Sequence, residues 1–130
     1  MSKKEEKKIL VIEDDETIGG MYLERITMEG YSTILITDGK KGEDAIWSEE
    51  PHLVVLDLML PTKSGVEILE TVRSWPSREN LPVIILTAFP MIGNIEKVND
   101  LNIAGFYSKA EVTPKKMIEH INKILFPERN

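Results

Sequence analysis

The chain has 130 residues, which is enough for one domain and too few for two of ordinary size. Apolar residues make up 42% and charged residues 29%, so we expect a soluble protein with a packed core. The absence of cysteine excludes disulfides and thiolate zinc sites, and the net charge of −6 argues against binding to nucleic acid. A charged N-terminus and the lack of a membrane-length apolar run predict a cytoplasmic protein without membrane insertion.

Five short apolar runs are separated by segments that are long enough to form helices. Four of the runs are continuous stretches of leucine and β-branched residues, which is typical of strands buried on both faces of a parallel sheet. The predicted strands cover residues 9–12, 33–36, 53–56, 83–86 and 105–108. We interpret residues 1–8 as a charged flexible arm, residues 9–126 as one domain and residues 127–130 as a C-terminal tail.

Apolar residues at helical spacing follow each predicted strand. The first predicted helix ends at Gly30, the second before Pro51 and the third before Pro76. The last begins at Pro114, with Thr113 as its N-cap. This alternation predicts an α/β, doubly wound (βα)5 domain with a parallel five-stranded sheet in the order 2-1-3-4-5 and helices on both faces.

Polar side chains stand directly after four of the predicted strands. The set consists of Glu13, Asp14, Asp57, Thr87 and Lys109. Because the order 2-1-3-4-5 changes direction between strands 1 and 3, Asp14 and Asp57 are expected to lie close together. Clustered carboxylates without histidine or cysteine suit Mg²⁺, and a carboxylate, a hydroxyl and a lysine beside that metal can transfer phosphoryl groups. Asp15 or Glu16 has a more ordinary role as a helix N-cap.

Four segments together are similar to one known family. They read ILVIEDD at 9–15, VLDLMLP at 55–61 with Gly65 four residues on, VIILTA at 83–88 and GFYSK at 105–109. Over residues 8–126 the sequence resembles the receiver domain of two-component response regulators, of the single-domain, chemotaxis-regulator-like type, which has a flavodoxin-like fold. The resemblance implies a phosphorelay protein that accepts a phosphoryl group from the phosphohistidine of a sensor histidine kinase or a histidine phosphotransfer protein. It implies a phospho-acceptor that assists its own phosphorylation and dephosphorylation, and not an enzyme.

The same resemblance implies a role for each matching residue of the metal and acceptor site. Asp57 matches the aspartate that accepts the phosphoryl group and also contacts the metal. Asp14 matches the acidic residue that binds Mg²⁺, and Glu13 lies beside it in the acidic pocket. Met59 matches the position that binds the metal through its backbone carbonyl, so its side chain need not be polar.

Other matching residues would contact the phosphoryl group or carry the switch. Thr87 matches the switch hydroxyl, Lys109 the lysine that contacts the phosphoryl group, and Ala88 would donate its backbone N–H. Phe106 matches an aromatic side chain that changes rotamer on activation, and packing in the core is an equal alternative for it. Ala110 stands where the family usually has a proline, often after a cis bond, and here a trans bond is expected.

The sequence carries fewer signals for how the domain acts on a downstream partner. We expect action by contact with a downstream protein through the fourth helix, fifth strand and fifth helix, a surface through which a homodimer is possible. A chain cut from a longer regulator remains an alternative, as does a degenerate receiver that only docks proteins. A phosphatase of the haloacid dehalogenase type would need an aspartate at Met59. Bulky Met59 and Phe89, each two residues past a site residue, predict slow loss of the phosphoryl group.

Overall fold

The computed structural model describes residues 4–88 and 92–129, and within these ranges five parallel strands alternate with five α-helices. The strands are β1 (Lys8–Ile12), β2 (Ser32–Ile36), β3 (Leu53–Leu56), β4 (Val83–Thr87) and β5 (Gly105–Ser108). The helices are α1 (Glu16–Glu29), α2 (Gly39–Glu49), α3 (Gly65–Ser74), α4 (Ile92–Asn99) and α5 (Pro114–Leu125). Of the described helices, none combines the length and the apolar composition needed to cross a bilayer.

The strand order is β2-β1-β3-β4-β5, and every neighbouring pair is parallel. The register pairs Ile12 of β1 with Leu56 of β3, so these two central strands end at the same level. The predicted doubly wound fold and its strand order are therefore confirmed. The carboxyl ends of all five strands lie along one edge of the sheet, and the strand order changes direction between β1 and β3.

Helix boundaries follow the local signals expected from the sequence. The Asp15 carboxylate caps α1 by accepting the N–H groups of Thr17 and Ile18 at 3.0 and 3.1 Å. Helix α1 ends at Gly30, whose φ of 115° is a left-handed conformation that glycine adopts without strain. Helix α5 begins with the Thr113 cap. Asp15 therefore caps α1, whereas its neighbours Glu13 and Asp14 do not take part in this cap.

Two apolar clusters cover the two faces of the sheet. Helices α2, α3 and α4 pack on one face, and α1 and α5 pack on the other. All residues of β3 and β4 are buried, as are all residues of β1 after Lys8. This explains why these strands read as unbroken apolar runs, and it leaves polar residues only at the strand ends.

Short helical segments occur near both ends of the described residues. Lys4–Glu6 form a short 3-10 helix, and Lys8 is already the first residue of β1. The Lys4 ammonium forms an ion pair with Glu29 of α1 and lies 5.6 Å from the centre of the Tyr31 ring, which precedes β2. Composition alone does not reveal these partners. At the other end, Pro127–Arg129 form a second 3-10 helix.

Candidate functional site

Three carboxylates converge at the carboxyl ends of β1 and β3. Glu13 and Asp14 follow β1 directly, and Asp57 follows β3. Each offers one oxygen, and these three oxygens all lie within 4.8 Å of one another. Glu13 and Asp57 are only 1% and 2% exposed, whereas Asp14 is exposed to solvent. The site is therefore an acidic pocket with a buried floor and one acidic residue at its mouth.

The end of β5 brings a lysine to the same pocket. The Lys109 ammonium lies 2.5 Å from Glu13 Oε1 and 3.0 Å from Asp57 Oδ2. Its backbone N–H donates to the Thr87 carbonyl at 2.8 Å, which extends the contact between β4 and β5 past Ser108. The lysine is thus held at both its backbone and its ammonium group, against the two buried carboxylates.

Burial and charge act in opposite directions on these groups. Burial raises the pKa of Glu13 to about 7, although hydrogen bonds from Lys109 and from the Asp15 N–H lower it. Burial alone would lower the pKa of Lys109, but its hydrogen bonds to Glu13 and Asp57 outweigh that effect and raise it. The pocket therefore holds more acidic groups than one ammonium can neutralise, and it suits a further cation.

The loop between β3 and α3 turns directly over the acceptor candidate. The Asp57 N–H donates to the Ile12 carbonyl at 3.0 Å, and the Met59 N–H donates to Asp57 Oδ1 at 3.2 Å. The Gly65 N–H closes the turn on the Leu58 carbonyl at 2.9 Å. A Cβ on Gly65 would lie 2.3 Å from the Asp57 carbonyl oxygen, so this close approach requires glycine.

An open cleft gives solvent and ligands access to the pocket. Its volume is about 280 Å³, and its described lining consists of Asp14, Asp15, Ile18, Asp57, Met59, Ala88 and Lys109. The lining includes residues that follow β1 and residues that follow β3, the two strands between which the strand order changes direction. The cleft therefore gives a small ligand access to the Asp57 carboxylate.

Residues 9–122 match the family model described as the response regulator receiver domain. The chain belongs to this family of two-component signalling proteins. The receiver is 29% identical over 119 residues to the polar-differentiation response regulator DivK of Brucella anthropi, which covers 92% of this chain and 96% of DivK.

Solved structures show the same fold. The receiver domain of the Francisella response regulator 1452 has a TM-score of 0.81 and 27% identity, and the match covers 95% of this chain and 99% of that one. A CheY-like receiver domain protein from Methanospirillum hungatei JF-1 has a TM-score of 0.86 over 95% of this chain and 96% of its own. At 24% identity that second likeness concerns the fold alone. The predicted family and flavodoxin-like fold are confirmed.

The two expected switch residues of this receiver lie below the cleft surface. The Thr87 side chain is fully buried at the end of β4 and is absent from the described cleft lining. Phe106 is half-buried on β5, is paired with Ile85 of β4 and packs against the apolar cluster under α2, α3 and α4. Phe106 therefore packs in the core, and its change of rotamer on activation stays a prediction.

Three further expectations concern the edges of the receiver site. Ala88 is exposed and lines the cleft, and Met59, with 57% of its surface exposed, lines it as well. Phe89 lies outside the described residues, so the expectation of slow phosphoryl loss stays a prediction. Every peptide bond in the described ranges is trans, including the bond between Lys109 and Ala110.

Sequence reasoning missed a buried ion pair beside the receiver site. Glu43 of α2 is buried, and its carboxylate pairs with the ammonium of Lys63 in the β3–α3 loop. An acidic residue on a helix is ordinarily solvent-exposed, so composition gives no signal here. The one available signal is position, because Glu43 lies one turn before the buried Ile46 and thus on the inward face of α2.

Proposed function

We propose that this receiver accepts a phosphoryl group on the Asp57 carboxylate from the phosphohistidine of a sensor histidine kinase or a histidine phosphotransfer protein. The observation that carries the proposal is the position of Asp57 at the floor of an open cleft, 3.0 Å from the Lys109 ammonium and among the carboxylates of Glu13 and Asp14. A carboxylate held in this way is accessible to a phosphorus atom and lies beside a cation that can neutralise the incoming charge.

The donor set fits Mg²⁺. Carboxylate oxygens are the ligands this ion prefers, and Glu13, Asp14 and Asp57 form the acidic cluster found among the described residues. In the proposal Asp14, Asp57 and the Met59 backbone carbonyl hold the ion, and Glu13 keeps the pocket acidic. When bound, Mg²⁺ would stabilise the negative charge of the phosphoryl oxygens during the transfer of the group to Asp57.

The proposed transfer is an in-line displacement at phosphorus. A carboxylate oxygen of Asp57 forms the new oxygen–phosphorus bond, and the bond from phosphorus to the donor's imidazole nitrogen breaks. The electron pair leaves with that nitrogen, and an acyl phosphate remains on Asp57. The Lys109 ammonium then contacts a phosphoryl oxygen, and the exposed Ala88 N–H donates to another. Water later attacks the same phosphorus and the bond from phosphorus to the Asp57 oxygen breaks, so the carboxylate is restored and inorganic phosphate leaves with the protons of the water. The protein therefore assists both steps without being an enzyme for a separate substrate.

The proposed switch follows from the new charge on Asp57. The Thr87 hydroxyl moves towards the phosphoryl group, and Phe106 shifts into the space that Thr87 leaves. Because Phe106 belongs to β5, the change would reach the surface formed by α4, β5 and α5. We propose that this surface contacts a downstream protein, with a homodimer as a further possibility. The cytoplasmic location and the absence of direct nucleic-acid binding expected from the sequence belong to the same proposal.

Intact mass spectrometry tests the acceptor. The protein incubated with Mg²⁺ and acetyl phosphate should gain one phosphoryl group of about 80 Da, and Asp57→Asn should gain none. Asp100→Asn, which changes an exposed aspartate after α4, is the matched control and should behave like the unchanged protein. No gain with acetyl phosphate and none with a phosphohistidine donor would contradict the proposal and favour a protein-docking role.

A further inference from the structure

The first turn of α2 presses against the far end of the β3–α3 loop. The Gly39 N–H donates to the Pro61 carbonyl at 3.0 Å. A Cβ on Gly39 would lie 1.9 Å from the Lys63 carbonyl oxygen, so the two backbones touch at this point. The Thr62 hydroxyl donates to Asp38 Oδ1 at 2.9 Å. Helix α2 therefore holds residues 61–63 through backbone and side-chain contacts.

An ion pair between a buried carboxylate and a partly buried ammonium completes this contact. The Lys63 ammonium pairs with the Glu43 carboxylate of α2 and donates to the Thr71 hydroxyl of α3 at 3.1 Å. The Glu43 side chain is 8% exposed, and the nearby Lys40 ammonium lies 3.6 Å away at the surface. Lys63 thus connects the loop to two helices at once. A buried ion pair adds little net stability as a rule, so its presence here calls for a role other than stability.

The same loop carries the proposed metal ligand between two anchors. On one side, the Asp57 N–H donates a hydrogen bond to the Ile12 carbonyl of β1, and the Met59 N–H donates one to the Asp57 carboxylate. On the other side, the loop is held by the contacts of Thr62 and Lys63 with α2. Met59 lies between these anchors, so the direction of its backbone carbonyl depends on both.

We propose that Lys63 and Glu43 are positioning residues, whose ion pair holds the β3–α3 loop so that the Met59 carbonyl can bind Mg²⁺. This inference rests on the proposed role of Met59 as a metal ligand. The ion pair itself touches neither the metal nor the phosphoryl group. Partners of this indirect kind commonly change metal affinity by about 10–100-fold when they are removed.

The charges of the two residues separate positioning from simple electrostatics. Removing the positive charge of Lys63 would strengthen Mg²⁺ binding if only long-range charge mattered, and removing the negative charge of Glu43 would weaken it. Positioning predicts weaker binding in both variants. Because one interaction is lost in each case, the double variant should be no weaker than the weaker single variant.

The test is Mg²⁺ affinity by titration calorimetry on the full chain, with hydrogen exchange of the Met59 amide followed by NMR. Lys63→Met and Glu43→Gln should each weaken Mg²⁺ binding about 10-fold and make hydrogen exchange of the Met59 amide faster. Lys63→Arg should leave the Mg²⁺ affinity and the exchange rate close to those of the unchanged protein. Lys4→Met is the matched control, because it breaks the Lys4–Glu29 pair near the opposite end of β1 and should leave Mg²⁺ binding unchanged. Thr62→Ala removes the bond to Asp38 without leaving a buried charge, and it should also weaken binding.

Two results would overturn the inference in different ways. If the unchanged protein binds Mg²⁺ and the Lys63 and Glu43 variants bind it equally well, or with opposite changes, the ion pair does not position the loop. If the unchanged protein binds no Mg²⁺, the proposed metal site fails and the inference fails with it. If the Lys63 and Glu43 variants do not fold, unchanged affinity in Thr62→Ala would count against the inference.

Discussion

At the site, the carboxylates of Glu13, Asp14 and Asp57 lie close together, and the Lys109 ammonium pairs with those of Glu13 and Asp57. Like charges at this separation repel one another, and two of the carboxylates are also removed from water. The raised pKa of Glu13, about 7, records that cost. The residues that fit a metal ion are thus a source of instability in the metal-free protein, which is a common feature of functional sites.

Asp14→Asn should raise the midpoint of thermal unfolding of the metal-free protein, because it removes one like charge from the mouth of the pocket. The same variant should gain less stability from added Mg²⁺ than the unchanged protein does. Scanning calorimetry with and without Mg²⁺ measures both effects, and Asp100→Asn serves as the control for loss of an exposed aspartate. A lower midpoint for Asp14→Asn without metal would contradict the repulsion argument.

Two glycines make a matched pair for the close approach beside Asp57. Gly65→Ala should cost about 1–3 kcal/mol of unfolding free energy, because the new Cβ would lie 2.3 Å from the Asp57 carbonyl oxygen. Gly20→Ala, within α1, meets no described atom within 4 Å and should add about 0.5–1 kcal/mol through helix propensity. Urea unfolding measures both. Equal effects of the two changes would show that the loop yields to the extra methyl group.

At the scale of elements, β5 and α5 are joined by a polar contact. The Tyr107 hydroxyl lies 2.5 Å from His120 Nδ1, and the two rings meet edge to face at 5.6 Å. Gly105 leaves the space for this contact, because a Cβ there would lie 2.7 Å from His120 Cε1. Burial lowers the pKa of His120, with a smaller effect of Lys123 in the same direction, although a hydrogen bond with the Ala104 backbone raises it. The strand that carries Phe106 is thus joined to α5 through the His120 imidazole.

The sign of the resulting pH dependence follows from that lowered pKa. The unfolded chain takes up a proton at His120 near pH 6.5, before the folded protein does, so the contribution of His120 to stability is present above about pH 6.5 and is lost as the pH falls towards the folded pKa. The difference in unfolding free energy between the unchanged protein and His120→Gln should therefore shrink as the pH falls. Subtraction cancels the opposite trend from Glu13, whose raised pKa weakens stability as the pH rises towards about 7.

Urea unfolding at several pH values measures this difference, and an NMR titration of the His120 ring measures its pKa directly. His52, whose pKa is also lowered by burial, is the natural comparison because it lies at a different strand, where it accepts the Lys8 N–H at the start of β1. A His120 pKa at or above 6.5 in the folded protein would overturn the prediction.

On the scale of the whole molecule, the sheet brings distant residues to one edge. Glu13, Asp57 and Lys109 come from three separate parts of the chain and meet because β1, β3 and β5 are parallel strands of one sheet. Helices on both faces exclude water from the strands and leave the carboxyl edge open. A ligand bound at that edge therefore binds the folded chain only, and it should stabilise the whole domain.

Added Mg²⁺ should raise the free energy of unfolding in a concentration-dependent way, by about 2.7 kcal/mol at a concentration 100 times the dissociation constant, and the midpoint of thermal unfolding should rise with it. Removal of the metal with a chelator should reverse the shift, and Asp57→Asn should reduce it strongly. Sodium chloride at matched ionic strength controls for general screening of the acidic chain. A shift that the sodium salt reproduces, or that Asp57→Asn retains, would place the effect outside this pocket.

Local sequence patterns were sufficient to predict the elements and most of the pocket. The apolar runs predicted the strands because strands buried on both faces need no polar alternation, and the caps at Asp15, Gly30 and Thr113 are local signals. The strand order followed from general rules for parallel sheets, and with it the meeting of Asp14 and Asp57. The site residues Glu13, Asp14, Asp57, Thr87 and Lys109 could be selected because each lies at the carboxyl end of a strand or just after it.

Only the tertiary structure decided which of these residues are buried and what they touch. The sequence does not show that Thr87 is fully buried. It also carries no signal for two ion pairs between distant parts of the chain, Lys63 with Glu43 and Lys4 with Glu29. Such contacts depend on how helices lie against the sheet, and that packing is decided by many apolar side chains together. The sequence by itself therefore determined the fold and the set of residues at the pocket, whereas their burial, their partners and the anchoring of the loop depend on the packed molecule.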